Sequence, residues 1–299
     1  MNVIETNDLT KKYKDCNVVN KVNLTVKKGT IFGFLGHNGA GKSTFINMLT
    51  GLCEPTSGEF TLDINSRKEI GVLPDYSSFY DNMTGKEHIK YFCRILGINK
   101  SSEQIGHLFS MLGLENGLNL KVKKYSFGMK KKLGIIQAVV NEPKILFLDE
   151  PTSGVDANSI LSIHTLIKDI AQTGTTVFIT SHNLDEIQKL CNEIAIMKNG
   201  NLEIQGNLEK LRQNFAEHLN LEISHEQLTD QQKVNISHKL NNLDEDIKII
   251  DISDYTTFLK IKSKDLIPEI IKTFVYLKVS LYKVHLQELS LEDIFIKSS

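Results

Sequence analysis

Val22, Leu24 and Val26 alternate with Asn23 and Thr25 until Lys28-Gly29 turns the chain, and that period of two predicts a half-buried strand. The nearly unbroken apolar run from Ile31 to Leu35 suits a fully buried strand. An amphipathic run from Thr44 to Leu49 then closes at Gly51, a residue type that ends helices. From Thr84 to Val140 the period shifts toward 3.6. Ile89, Phe92 and Leu96 share a helical face and a further helix runs from about Gly128 to Val140, so residues 84–141 read as a helical insert. Strands return at Ile145 to Asp149 and Thr175 to Thr180, on either side of a helix from about Ala157 to Ile170. Such β-α-β alternation predicts a parallel sheet covered by helices. Asn199-Gly200, set between two strand-like runs, predicts a hairpin that closes a first domain, 1–206.

Beyond about Asn207 glycine all but disappears and the pattern restarts. A strand, a polar helix from about Glu226 to Leu240, two strands, a helix from about Asp265 to Thr273 and a last strand give the order β-α-β-β-α-β. That order is the split β-α-β arrangement of ferredoxin-like domains, so residues 207–299 read as a small accessory or regulatory α+β domain. Ser290-x-x-Asp293 is a pattern that caps a short final helix.

Composition narrows the function classes. The chain has 299 residues, 40% of them hydrophobic and 24% charged, enough apolar material to bury a real core and exclude wholesale disorder. With 35 basic against 36 acidic residues there is no uniform basic field, so nucleic acid is not an expected partner. Cys16, Cys53, Cys93 and Cys191 lie far apart, without metal-ligand spacing, which fits a reduced, cytoplasmic compartment. The polar N-terminus does not read as a signal peptide, and no apolar run approaches the roughly 18–20 residues of a membrane-spanning helix. Any membrane connection is expected through a partner.

The chemistry begins at Gly36-His37-Asn38-Gly39-Ala40-Gly41-Lys42-Ser43, which fits the phosphate-loop pattern G-x-x-x-x-G-K-[ST]. Its glycines let backbone N–H groups wrap the β- and γ-phosphates, Lys42 bridges them, and the Ser43 hydroxyl ligates Mg²⁺. The pattern sits after a predicted strand and opens a predicted helix, as that chemistry requires. Gly36, Asn38, Gly39, Ala40, Gly41, Lys42, Ser43 and Thr44 are therefore the expected nucleotide contacts. The apolar strand from Ile145 ends in Asp149 and Glu150. At such a strand end the Asp holds Mg²⁺ and the Glu orients or deprotonates the attacking water.

Tyr125-Ser126-Phe127-Gly128-Met129-Lys130 lies between these motifs, and Ser153-Gly154-Val155-Asp156 and Ser181-His182 follow them. With these pieces in this order, residues from about Asn2 to Gly206 resemble the ATP-binding-cassette ATPases. The resemblance implies a phosphate-loop NTPase cassette with an antiparallel β subdomain and a helical insert. It also implies that two cassettes pair head to tail, each ATP lying between one subunit's phosphate loop and the other's signature. Carried over, Ser126 and Gly128 contact the γ-phosphate in trans, His182 contacts it in cis as a catalytic residue beside Glu150 and Lys42, and Asp156 sits at the dimer seam. Tyr13 occupies the position of the family's adenine-stacking aromatic, though packing on the first sheet is the alternative role for that ring.

Two departures stand out. Phe127 and Met129 replace a Gly and a Gln of the usual signature, and Asp75 stands where the family has a Mg²⁺-contacting Gln, so its contact is expected through water. Tyr76, Phe79, Tyr80, Tyr91 and Phe92 crowd the region where the family receives a cytoplasmic helix of the transmembrane subunit, and they divide between that groove and the core of the insert. The wording of residues 73–89 and of the signature resembles exporter-type ATPases of drug, antibiotic and antimicrobial-peptide efflux or immunity. These imply ATP and Mg²⁺ as cofactors, a transmembrane permease and a second ATPase copy or related chain as partners, and a place on the cytoplasmic face of the membrane. A non-transport ATPase acting on ribosomes, or an ATP-gated resistance sensor, is the rival reading. The single cassette, the short interval from Ser43 to Ser126 and the intact Glu150 and His182 count against it.

Overall fold

A computed structural model describes residues 1–75, 78–215, 218–287, 291–292 and 294. It divides into two compact units, Met1–Leu208 and Glu209–Ser299.

The first unit opens with β1 (Asn2–Tyr13), β2 (Cys16–Val22) and β3 (Thr25–Lys27). The single strand predicted across Val22 to Val26 is split between β2 and β3. At the break, Asp8 N donates to the Asn23 side-chain oxygen and Leu24 N to the Thr6 hydroxyl, so side chains replace ladder partners. The apolar positions still point inward, since Val22, Leu24 and Val26 are buried. Next come β4 (Ile31–Leu35), α1 (Lys42–Thr50), β5 (Ser57–Leu62), β6 (Ile70–Leu73), α2 (Gly85–Leu96), α3 (Ser102–Met111) and α4 (Phe127–Val139). They are followed by β7 (Ile145–Asp149), α5 (Ala157–Gln172), β8 (Thr176–Ser181), α6 (Leu184–Leu190), β9 (Glu193–Lys198) and β10 (Asn201–Asn207), and α7 (Leu208–Phe215) begins at the last residue of the unit.

Strands β2, β3 and β5 all pair antiparallel with β1. The second sheet runs β10-β9-β4-β8-β7-β6 and is parallel from β9 to β6, with the Asn199-Gly200 hairpin adding β10 antiparallel at one edge. One core joins both sheets: Val3, Ile4, Leu9 and Val26 pack with Phe32, Phe34, Phe45 of α1, Phe147 and Phe178. Phe34 stacks on Phe45 with ring centroids 5.0 Å apart, which fixes α1, and so the loop before it, against the sheet.

In the insert, α2 and α3 each start from a capping box, Thr84 with Glu87 and Ser101 with Gln104. Phe79, Tyr80 and Phe92 surround the fully buried His88, whose Nε2 meets Gln137 Oε1 of α4 at 3.0 Å. Tyr80 is 47% exposed, whereas Phe79 and Phe92 are half-buried. Tyr76 lies outside the described residues. The α4 backbone approaches β6 so closely that a Cβ on Gly71 would stand 2.0 Å from the Ala138 carbonyl oxygen.

The second unit contains β11 (Leu219–His225), α8 (Asp230–Leu243), β12 (Lys248–Ile252), β13 (Thr256–Ile261), α9 (Ile267–Tyr276) and β14 (Leu281–Gln287). Its sheet, β12-β13-β11-β14, is antiparallel throughout. Leu221, Ile223, Leu259 and Ile261 from the sheet pack against Ile236 and Leu240 of α8 and Ile270 and Phe274 of α9. The predicted cap at Ser290 and Asp293 lies outside the described residues. An α/β cassette with an antiparallel subdomain and helical insert, followed by a small α+β unit, is the fold class expected from the sequence.

Candidate functional site

The loop from Gly36 to Gly41 leaves the C-terminal end of β4 and turns directly into α1. Gly39 and Gly41 have φ of +83° and +107°, which side chains on an L-residue strongly disfavour. A Cβ on Gly41 would stand 2.3 Å from the Val18 carbonyl oxygen, while Gly39 faces open space. The loop is thus wedged on one side and open on the other, where the free N–H groups and dipole of α1 favour an anion. Ala40 is buried, Thr44 is half-buried, and Asn38 and Ser43 are exposed at the rim. The Lys42 side chain is 6% exposed and bends back over the loop, donating to the carbonyls of Gly36 at 2.7 Å and His37 at 3.2 Å. Burial lowers its pKa, and the nearby carboxylates of Glu150, Asp149 and Asp75 partly restore it.

Those carboxylates come from neighbouring strand ends. Asp149, the last residue of β7, is 4% exposed and accepts from the Thr180 hydroxyl at 2.5 Å. The same hydroxyl accepts from Glu150 N at 3.1 Å, so Thr180 ties the two acidic residues to β8. Glu150 has a φ of +50° and its Oε2 meets His182 Nδ1 at 2.8 Å. Its other oxygen, Oε1, is buried with no hydrogen-bond partner. Burial raises the pKa of Glu150 against the opposing charges of His182 and Lys42. A buried acceptor without a donor beside a buried ammonium fits a site that receives a polar group from outside.

Beside Glu150 lies a cavity of about 370 Å³, lined among others by Ser153, His164, Ser181, His182 and Lys189. Its floor is the buried Glu186. This carboxylate accepts from the Thr152 hydroxyl at 2.8 Å and the Ser181 hydroxyl at 2.9 Å, and its other oxygen meets His164 Nε2 at 2.9 Å. Glu186 therefore links the turn after β7 with the turn after β8.

Other residues singled out from the sequence gather elsewhere. Ser126 caps α4, accepting from Met129 N at 3.2 Å. A Cβ on Gly128 would stand 3.7 Å from Val155 and 3.9 Å from Asp156 Oδ2, so the signature packs beside residues 154–156. Asp156 itself caps α5 through Ser159 N. Phe127 is 59% exposed. Tyr13 is 50% exposed at the end of β1, with the Lys11 ammonium 5.1 Å from its ring centroid and Cys53, beyond α1, as its polar neighbour. Asp75 lies 3.5 Å from the Lys131 ammonium of α4. Sequence reasoning missed Thr180, Glu186 and Lys131, and only the position of Thr180 at a strand end beside His182 was readable there.

Among the described residues no group of three or more Asp, Glu, His or Cys side chains could hold a metal ion by itself. One buried carboxylate, Asp149, and one hydroxyl, Ser43, instead suit a hard cation that brings water and phosphate oxygens with it.

A glycine-rich loop opening a helix, an acidic strand end and a histidine after the next strand gather at one end of parallel strands, the arrangement of a nucleotide-hydrolysing cassette. The comparisons with known proteins specify it. Residues 19–153 match the family model described as ABC transporter. Over 309 aligned residues, 99% of this chain and 96% of the relative, the chain is 35% identical to the bacitracin transport ATP-binding protein BcrA of Bacillus licheniformis. The protein of the same name from Enterococcus faecalis is 36% identical over 74% of this chain and 75% of its own length. A solved ATP-binding subunit of an ABC transporter superposes with a TM-score of 0.66 at 27% identity, covering 71% of this chain and 93% of that one. A bacterial cassette solved as a dimer gives 0.62 at 25% identity, over 69% of this chain and 98% of that one. The chain belongs to the ABC transporter family as an ATP-binding, ATP-hydrolysing subunit. Among its described residues no helix is long and apolar enough to cross a membrane.

Proposed function

We propose that this chain powers a membrane exporter of antimicrobial peptides or related antibiotics, docked on a transmembrane permease at the cytoplasmic face of the membrane. Its whole-length likeness to one bacitracin transport ATP-binding protein supports the cargo class. Restoring the chain with its permease to a strain lacking both should raise the bacitracin concentration the cells tolerate. Unchanged tolerance, with both proteins present, would sink the exporter reading.

The observation that carries the mechanism is the convergence of the motif residues at neighbouring strand ends. Lys42, Asp149, Glu150 and His182 gather there, whereas Gly128 of the signature packs beside Val155 and Asp156. Likeness to a cassette solved as a dimer supports a γ-phosphate site completed by the signature of a second copy or of a related chain, placed head to tail. In that arrangement the N–H groups of the loop and Lys42 hold the β- and γ-phosphates, and Tyr13 offers its open face to the adenine. Ser43 and Asp149 would hold Mg²⁺, and Asp75 would contribute through water. When bound with the nucleotide, that ion neutralises charge on the transferred phosphoryl group. Glu150 Oε1 takes the proton of the attacking water. His182 fixes the other carboxylate oxygen and turns its second ring nitrogen toward the γ-phosphate.

The unit from Glu209 to Ser299 carries none of this chemistry, and we assign it to dimer contact or regulation of the permease. ATPase activity per mole of the purified chain should rise with protein concentration, because each site is shared. Activity strictly proportional to concentration down to high dilution would contradict a shared site. A chain ending at Leu208 should keep ATP binding and need a higher protein concentration for the same activity per mole; an unchanged concentration dependence would remove the dimer-contact role.

A further inference from the structure

Lys131 lies on α4, in the turn after the signature, and is only 6% exposed. Burying an ammonium is costly unless oxygen partners replace its water. Here they do: its Nζ donates to the Asp75 carbonyl at 3.1 Å and the Glu150 carbonyl at 3.1 Å, and stands 3.5 Å from Asp75 Oδ1. Those acceptors follow β6 and β7, which are adjacent parallel strands. Lys131 therefore spans both strand ends from one helix. That helix is held in place by the close backbone approach at Gly71.

The contact with Glu150 has a particular consequence. A φ of +50° is unfavourable for a glutamate and persists only where its surroundings impose it. Thr180 holds the N–H side of this residue, and on the carbonyl side Lys131 at 3.1 Å adds to a longer bond from Ser153 N at 3.3 Å. Between them the carboxylate is placed, with His182 on one oxygen and the other buried without a hydrogen-bond partner.

We propose that Lys131 is a positioning residue for hydrolysis: its ammonium holds the Glu150 backbone in the left-handed conformation that aims the carboxylate, and thereby ties the placement of the signature helix to turnover at the chain's own site. The assignment rests on Glu150 as the residue that faces the attacking water. It gives α4 two outputs, since its N-terminus presents the signature to a second copy while Lys131 acts on the strand ends of the same chain. Methionine at 131 fills the space but offers no donor, so the Asp75 carbonyl loses the ammonium and the Glu150 carbonyl is left with the longer bond from Ser153 N at 3.3 Å. Arginine keeps a charged donor at the same place.

The test is steady-state ATP hydrolysis by the purified full-length chain at one fixed concentration, for native protein, Lys131→Met, Lys131→Arg and Glu150→Gln, with melting temperatures measured alongside. Lys131→Met should lower kcat by about tenfold or more while KM for ATP stays within about twofold, because misaiming a reacting group costs rate rather than binding. Lys131→Arg should recover most of the lost kcat. The proposal is overturned if Lys131→Met keeps kcat within about twofold of native, or if both Lys131 variants lose kcat, ATP affinity and melting temperature together. An inert Glu150→Gln beside a fully active Lys131→Met condemns the role of Lys131 alone. Native-like hydrolysis by Glu150→Gln removes the reading of Glu150, and the positioning role with it.

Discussion

Glu150→Gln should lower ATP turnover by about 10²- to 10⁴-fold, the usual contribution of a placed general base, and leave ATP binding intact. The substitution preserves the shape of the side chain and its contact with His182, but an amide cannot accept a proton from water. Oε1 is the atom at issue, since it is buried and unpartnered where Oε2 already meets His182 at 2.8 Å. Hydrolysis being blocked after binding, the variant should accumulate as an ATP-bound dimer. Size-exclusion chromatography with and without ATP reads this directly, and a variant that stays monomeric with ATP would refute the role given to Glu150. The native enzyme should also lose activity on acidification sooner than an ordinary carboxylate would dictate. Burial raises the pKa of Glu150, so its base form is lost at a higher pH. The Gln variant should lack that acidic limb.

Lys42→Ala should fail at the earlier step. Its ammonium is buried in the loop and its partners in the bare protein are carbonyls of Gly36 and His37, so the side chain is already folded over the space the phosphates enter. Truncating one partner of a buried, hydrogen-bonded charge pair costs about 2 to 5 kcal/mol, at least roughly thirtyfold in affinity. The loss should appear as weak ATP binding by titration calorimetry, with no ATP-induced dimer. Native-like affinity for ATP in this variant would mean that Lys42 does not engage the phosphates. The two substitutions therefore separate cleanly, one keeping the nucleotide and the other losing it.

What was legible in the sequence was what local pattern encodes. The phosphate loop needs glycines and a lysine at fixed spacing because one turn of backbone must wrap the phosphates, and that spacing is written in consecutive residues. The same holds for β7, an apolar run ending in acids, and for the second unit, whose helices and strands keep regular periods. β1 was not legible. It pairs with three strands through register shifts and carries a positive φ at Asp8, so Val3 and Ile4 are both buried and no alternation survives. The break at Asn23 depends on Asp8 and Thr6, residues distant in sequence. Lys131 was hidden for a different reason. In a run of three lysines it reads as solvated surface, yet Lys131 and Lys132 are both buried, because α4 is covered on nearly every side. Its acceptors are backbone carbonyls, which leave no trace in side-chain pattern. Glu186 escaped notice similarly, its partners arriving from three separate segments.

The signature's phenylalanine leans on a neighbour with its own demands. Gly154 has a φ of +72°, and a Cβ placed there would come within 2.9 Å of the Phe127 ring. Alanine at position 154 would thus be strained by the backbone and would press on the aromatic ring until it shifted. The two sites are therefore coupled in space: a side chain added at 154 must be met by a shift of the ring at 127, its companion. A transplant of the signature segment into a cassette with a bulkier residue at that companion position would bring the ring without its seat.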